Sequence, residues 1–96
     1  MIIPYAHPTK KKICRYLPDF YVKIKERSGR VVQYIIEVKP QKEANKPNNS
    51  KRKKPATRLY EKLTYVQNVA KWQSAQDFAK RNGMVFKVIT ENELRL

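Results

Sequence analysis

The sequence is poor in the residues that would hold together a secreted or zinc-stapled protein. One cysteine, Cys14, and one histidine, His7, stand among 96 residues. A single thiol closes no internal disulfide, which fits a reducing compartment, and one Cys with one His falls short of a structural zinc centre. Acidic side chains are scarce as well: 8 Asp and Glu face 22 Lys and Arg, a formal charge of +14. No apolar run approaches the roughly 20 residues of a membrane span. No amphipathic stretch sets a purely basic face against a bulky apolar one, so a membrane partner is not expected. The N-terminus lacks the charged start and apolar run of a secretory signal, so a cytoplasmic location is expected.

What the chain does have is apolar content and positive charge. Hydrophobic residues make up 41%, enough for one modest core and a single domain over residues 1–96. A compact surface with this excess of one sign repels itself unless a polyanion neutralises it. Nucleic acid is the leading partner, because Lys and Arg on phosphates release condensed counterions. Charge alone does not separate DNA from RNA, but the aromatic pattern of an RNA-recognition motif is absent.

Hydrophobic periodicity divides the chain. Residues 1–18 read as a short edge strand and a loop carrying Lys10, Lys11 and Lys12. Asp19 to Lys25 alternates, with Phe20, Val22 and Ile24 on one face and Asp19, Tyr21, Lys23 and Lys25 on the other. Arg27-Ser28-Gly29-Arg30 supplies a turn. Val31 to Lys39 follows, apolar on parts of both faces and therefore placed near the middle of a sheet; Pro40 ends it. Gln41 to Pro55 has no large apolar residue and sets six basic side chains, including Lys51-Arg52-Lys53-Lys54, against Glu43. A mobile basic arm is expected there. From Arg58 to Asn82 apolar residues recur at steps of three and four, and Gly83 sits where a helix stops. Met84 to Ile89 reads as a strand, and Thr90 with Glu93 as a capping box. The expected fold is α/β: a mixed β-sheet of about four strands with one long helix packed on it.

The chemistry lies at the hairpin. Glu37 and Lys39, two apart, leave the same face of their strand. Asp19 lies nine residues before Ser28 and Glu37 nine after it, so pairing about the turn sets the two carboxylates opposite each other. Adjacent carboxylates repel unless a cation separates them, and Mg²⁺ favours such hard oxygen ligands. A metal there polarises a phosphoryl oxygen and generates a nucleophile from water near neutral pH. Lys39 is placed to hold or activate that water and to offset charge on phosphorus. Val38 would add its backbone carbonyl as a ligand, with its side chain in the core. Each half of the motif is weak alone: Glu-x-Lys is a common surface ion pair worth little, and Asp after Pro often opens a strand or turn.

Pro18-Asp19 followed by Glu37-Val38-Lys39 resembles the signature of PD-(D/E)XK nucleases. More narrowly, several stretches resemble head-completion nucleases of tailed phages and the endonuclease subunits of heteromeric transposases. They are Ile2-Ile3-Pro4-Tyr5, Arg15-Tyr16-Leu17-Pro18-Asp19-Phe20, Glu37-Val38-Lys39-Pro40, Lys71-Trp72 with Ala75, and Gly83 with Phe86 and Thr90-Glu91. The resemblance covers nearly the whole chain. It implies a minimal restriction-endonuclease-like core, metal binding by Asp19 and Glu37, catalysis by these two with Lys39, and Mg²⁺ as cofactor, with Mn²⁺ as a substitute. It also implies an acidic residue on a helix ahead of the first strand, yet no acidic residue precedes Asp19. Three readings follow: a short member, a site completed by a second subunit, or a fold kept for binding alone.

The resulting expectation is a phage-encoded, metal-dependent endonuclease acting on double-stranded DNA in the host cytoplasm or with the virion. A site-specific homing-type endonuclease of the same fold is the nearest alternative. A catalytically inactive DNA-binding or virion-associated protein is the alternative of another class. Lys10, Lys11, Lys12, Lys51, Arg52, Lys53, Lys54 and Lys71 are the expected DNA contacts; for each the plainer reading is a solvated charge. Gln67, Asn68 and Gln73 are more simply the wet face of a helix, Trp72 a packing residue, and Tyr60 and Tyr65 half-buried rings. His7 is more simply a loop residue than a general base. Two active sites for two strands, and a sheet lacking a covering helix, lead to an expected homodimer or higher homo-oligomer.

Overall fold

A computed structural model describes residues 1–47 and 52–93. The element order is β1 (Ile3–Ala6), β2 (Ile13–Tyr16), β3 (Phe20–Lys25), β4 (Val31–Val38), α1 (Gln41–Ala44), α2 (Pro55–Arg81) and β5 (Val85–Ile89). The α/β class and the long packed helix match expectation, while the strands arrange differently. They form two sheets, the hairpin β1–β2 and a mixed sheet of order β3-β4-β5, with β4–β5 parallel across the α2 crossover. β2 replaces the expected loop. Its four residues are too short to display a period, and Ile13 is 70% exposed, which hides the inward pair Cys14 and Tyr16.

The β3–β4 turn follows from Gly29, whose φ of +89° suits a residue without Cβ. Its N–H donates to Glu26 O at 2.9 Å. The register pairs Phe20 with Ile36 and Lys25 with Val31, so Asp19, one step before Phe20, falls opposite Glu37. Period-two alternation then sorts the sheet. Asp19, Tyr21, Gln33, Ile35, Glu37, Phe86 and Val88 share one face; Phe20, Val22, Ile24, Tyr34, Ile36, Val38 and Lys87 share the other.

Only the first face is covered. Ile3, Tyr5 and Tyr16 from the β1–β2 hairpin join Ile35 of β4 and Ala75 and Ala79 of α2 in one buried cluster. The opposite face leaves Phe20 57%, Ile24 47% and Val85 39% exposed. The chain measures 52 × 37 × 15 Å, two layers thick along its shortest axis. Its radius of gyration, 15.8 Å, exceeds the roughly 13 Å of a compact 100-residue domain.

α2 is longer than the sheet it lies on. Its 27 residues span about 40 Å, against about 26 Å for the eight residues of β4. The helix therefore overhangs, and Leu59, Leu63 and Val66, expected to continue the buried stripe, are 45–58% exposed. It begins three residues before Arg58, with Pro55 in its first turn, where a missing N–H costs nothing. It ends as expected: Gly83 takes φ +67°, and Met84 N donates to Ala79 O at 2.8 Å, closing a Schellman cap.

Of the expected arm, Gln41–Ala44 form one helical turn instead of open chain. The turn is tied to the end of the chain: Gln41 N donates to Glu91 and Asn92 Nδ2 to Gln41 Oε1, both at 2.9 Å. Residues 48–51, Lys51 among them, lie outside the described residues. Thr90 and Glu93 form the expected box, the Glu93 carboxylate accepting from Thr90 N and Oγ1 at 2.6 Å each. Among the described residues no helix is long and apolar enough to cross a membrane.

Candidate active site

β4 carries Glu37 and Lys39 to its C-terminal end on the covered face, and the segment leading into β3 brings Asp19 beside them. Glu37 is 6% exposed. A carboxylate this deep needs partners, because desolvation of an unpaired charge costs several kcal/mol. It has two. Tyr16 donates its hydroxyl to Glu37 Oε2 at 2.5 Å, and Lys39 Nζ lies 3.6 Å from Oε1. Asp19, on the rim, accepts from Val38 N at 2.8 Å through Oδ2. Lys39 N donates to Ile89 O at 2.9 Å, extending the parallel ladder and fixing the backbone beneath its side chain.

The segment Arg15 to Asp19 thus grips the end of β4 at two points, Tyr16 on a side chain and Asp19 on a backbone N–H. Pro18 between them restricts the chain to one approach. Burial pushes the Tyr16 phenol far above its ordinary range, reinforced by the bond to Glu37 and by the charges of Glu37 and Asp19. Tyr16 is therefore a donor at every physiological pH.

α2 closes the site from above. Lys71 Nζ lies 5.9 Å from the ring centres of both Tyr5 and Tyr16, within reach of a cation–π contact. Gln67 Nε2 donates to Tyr5 Oη at 3.0 Å. Gln67 and Lys71 therefore face the site rather than forming a wet face, and Asn68 is buried at 7%. Tyr5 and Tyr16 had no assigned role in the sequence. The usable signal was alternation: Cys14 and Tyr16 fall on the inward side of a strand too short to stand out.

The other expected residues lie outside this centre. Lys10, Lys11 and Lys12 are exposed in the β1–β2 turn, with Lys11 at φ +47°. His7 Nδ1 accepts from Thr9 N and Lys10 N at 3.2 Å each, a turn-capping role. Desolvation lowers its pKa, and the charges of Lys10, Lys12 and Lys71 lower it further. Lys71 thus shares a neighbourhood with Lys10 and Lys12, from which it is far removed in sequence. Lys53 is engaged by Glu61 at 2.6 Å, while Arg52 and Lys54 are exposed ahead of α2. Between α1 and the overhanging half of α2 lies a cleft of about 590 Å³, lined in part by Lys42, Lys46, Lys53, Tyr60, Tyr65 and Asn68. Trp72 packs against the core, and its Nε1 has no partner among the described residues. Val38 turns its side chain to the uncovered face, half-buried, rather than into the core.

Among the described residues no group of three or more His, Cys, Asp or Glu is arranged to hold a metal. The acidic donors at this centre are the pair Asp19 and Glu37, each with one oxygen committed to a donor of the chain.

The family described as "TnsA-like endonuclease N terminal" matches residues 1–91. The chain is similar to the head completion nuclease of Enterobacteria phage T4, 33% identical over 97 residues. The match covers 98% of this chain and 62% of that protein, so the chain spans less than two thirds of the relative's length. No solved structure matches significantly.

Proposed function

Because the chain belongs to the TnsA-like endonuclease N-terminal family, we propose that it is a metal-dependent endonuclease hydrolysing phosphodiester bonds of double-stranded DNA. The observation that carries this reading is the juxtaposition of Asp19, Glu37 and Lys39 on one face of β4 and its hairpin partner. Two carboxylates, each retaining an oxygen, suit Mg²⁺, which is commonly held by one or two carboxylates with substrate phosphate and water completing the shell. Asp19 and Glu37 would hold it, with the Val38 carbonyl as a third donor; Mn²⁺ substitutes. Bound there, it supplies charge that polarises a phosphoryl oxygen and makes water more acidic.

The chain's own residues do the rest. Lys39 presents its ammonium at the rim and offsets negative charge building on the phosphate. Lys71, seated above two tyrosine rings, meets the same phosphate or its neighbour. Lys10, Lys11 and Lys12 engage the backbone from the β1–β2 turn. Arg52, Lys53 and Lys54 engage it from ahead of α2, and by sequence Lys51 belongs with them. No acidic residue occupies the first turn of α2, so Lys54 at its N-cap sits against the positive end of the dipole, an arrangement that an incoming phosphate relieves. Such contacts position the duplex without reading its sequence.

Similarity to a phage head completion nuclease favours a phage setting, in the host cytoplasm or with the virion. The uncovered face of the β3-β4-β5 sheet favours a homodimer. A second reading, a DNA-binding protein without activity, draws on the presence of only two acidic side chains at the centre. Supercoiled plasmid with Mg²⁺ or chelator, treated with wild type, Glu37→Ala and Lys39→Met, separates the two. Metal-dependent nicking or linearisation, lost in both variants while DNA binding persists, is the expected result. A wild type that binds DNA but leaves it intact with Mg²⁺ and with Mn²⁺ supports the second reading instead.

A further inference from the structure

Glu37 has to be both buried and available, and one neighbour resolves that conflict. Of its two oxygens, Oε2 is closed off by the Tyr16 hydroxyl at 2.5 Å, while Oε1 has only the looser Lys39 ammonium at 3.6 Å. A charge-assisted O–H···O⁻ bond is among the stronger ones a protein makes. It fixes both the rotamer of Glu37 and which oxygen turns outward. Tyr16 is itself buried, 4% exposed, and paired through its backbone with Ile3 in the β1–β2 hairpin. Above its ring lies Lys71, and beside it Tyr5 is held by Gln67 of α2. Contacts therefore run from Lys71 of the helix through Tyr16 to one carboxylate oxygen, with Tyr5 held separately by Gln67.

Resting on the proposed function, we propose that Tyr16 is the positioning residue of the site, locking Glu37 so that a single oxygen, Oε1, is presented to the cation. Partners of this kind, bonded to a ligand rather than to the metal, typically set metal affinity by a factor of 10–100. The competing explanation is that Tyr16 merely satisfies a buried carboxylate and stabilises the fold. Both roles make Tyr16→Phe less stable; only positioning ties it to the metal.

The test is Mn²⁺ binding to the full chain without DNA, by electron paramagnetic resonance titration, for wild type, Tyr16→Phe, Tyr5→Phe and Glu37→Gln. Tyr5→Phe is the matched control: it removes a hydroxyl from an equally buried ring whose partner is Gln67 rather than Glu37. The expected result is a Kd raised about 10-fold or more in Tyr16→Phe and within about twofold of wild type in Tyr5→Phe. The Mg²⁺ concentration for half-maximal cleavage should rise by the same factor, with the rate at saturating Mg²⁺ largely recovered. Equal Kd values for wild type and Tyr16→Phe, or equal weakening in both tyrosine variants, would overturn the positioning role while leaving the nuclease reading intact. A wild type that binds no Mn²⁺, like Glu37→Gln, would remove both. Should Tyr16→Phe fail to fold, 3-fluorotyrosine at position 16 of the otherwise native chain asks the same question. Its ¹⁹F resonance should shift on Mg²⁺ addition, and a resonance unmoved by saturating Mg²⁺ would overturn the role.

Discussion

The two faces of the β3-β4-β5 sheet are built from the same alternating strands and have opposite fates. One face lies under α2 and the β1–β2 hairpin and contains Ile35, fully buried, and Glu37, nearly so. The other is the more apolar by composition, with Phe20, Val22, Ile24, Ile36 and Val38, yet it stands open. Hydrophobicity alone would have covered the second face. What selects the first is where α2, the crossover between parallel β4 and β5, returns, and the proposed carboxylate pair lies on that side. The apolar face is the surface proposed above for a second copy.

Breaking the covered face should have the largest effect on stability. Ile35→Ala leaves a cavity among Ile3, Tyr5, Ala75 and Ala79, and is expected to cost about 2–5 kcal/mol, much of the stability of so small a core. Ile36→Ala, one residue along and only partly buried, should cost about 1 kcal/mol. Urea unfolding of the two variants reads this difference directly; equal losses would mean the two faces are equally packed in solution.

The open face is tested through assembly. Ile24→Lys places a charge on the surface assigned to a second copy, and should convert a dimer into a monomer by light scattering at micromolar concentration. Because each chain carries +14, association should strengthen with salt as repulsion is screened. A wild type of strictly monomeric mass in moderate salt would remove this surface from the account.

DNA binding should follow the site side. Lys54→Gln and Lys71→Gln are each expected to weaken binding uniformly across sequences and reduce the slope of log K against log salt by about one unit. An unchanged slope in both would move the duplex elsewhere on the chain.

The smallest effect concerns the turn after β5, which anchors α1 beside the site. Hydrogen bonds from the Thr90 hydroxyl and then its N–H hold the Glu93 carboxyl below the usual carboxylate range. A depressed carboxyl stabilises the fold above its unfolded pKa, and that contribution fades as pH falls through that value toward the folded one. Amide exchange at Thr90 and Asn92 should therefore accelerate, relative to the rest of the chain, in mildly acid solution. Glu93→Gln should show no such acceleration.

How much of this was legible in the sequence depends on length scale. The hairpin register, and with it the Asp19–Glu37 pairing, followed from counting about Ser28, because a tight turn leaves one register that keeps the alternation. The end of α2 followed from Gly83, and the capping box from Thr90 and Glu93. Contacts between segments distant in sequence were not readable. Nothing local says that Tyr16 reaches Glu37, 21 residues on, or that Lys71 settles over Tyr5 and Tyr16. The overhang of α2 escaped for a similar reason: Leu59, Leu63 and Val66 keep a helical period whether or not a sheet lies beneath them. β2 was hidden by its brevity and by an exposed Ile13.

The most direct test of the claim that the chemistry sits on the covered face is paired cleavage of supercoiled plasmid by Glu37→Gln and Lys87→Gln in Mg²⁺. Glu37 lies on the covered face; Lys87, over the Tyr34 ring at 5.2 Å, lies on the open one. The account expects Glu37→Gln to lose at least about 10²-fold in rate while Lys87→Gln stays within about threefold of wild type. Cleavage that survives Glu37→Gln, or that falls equally in both variants, would contradict it.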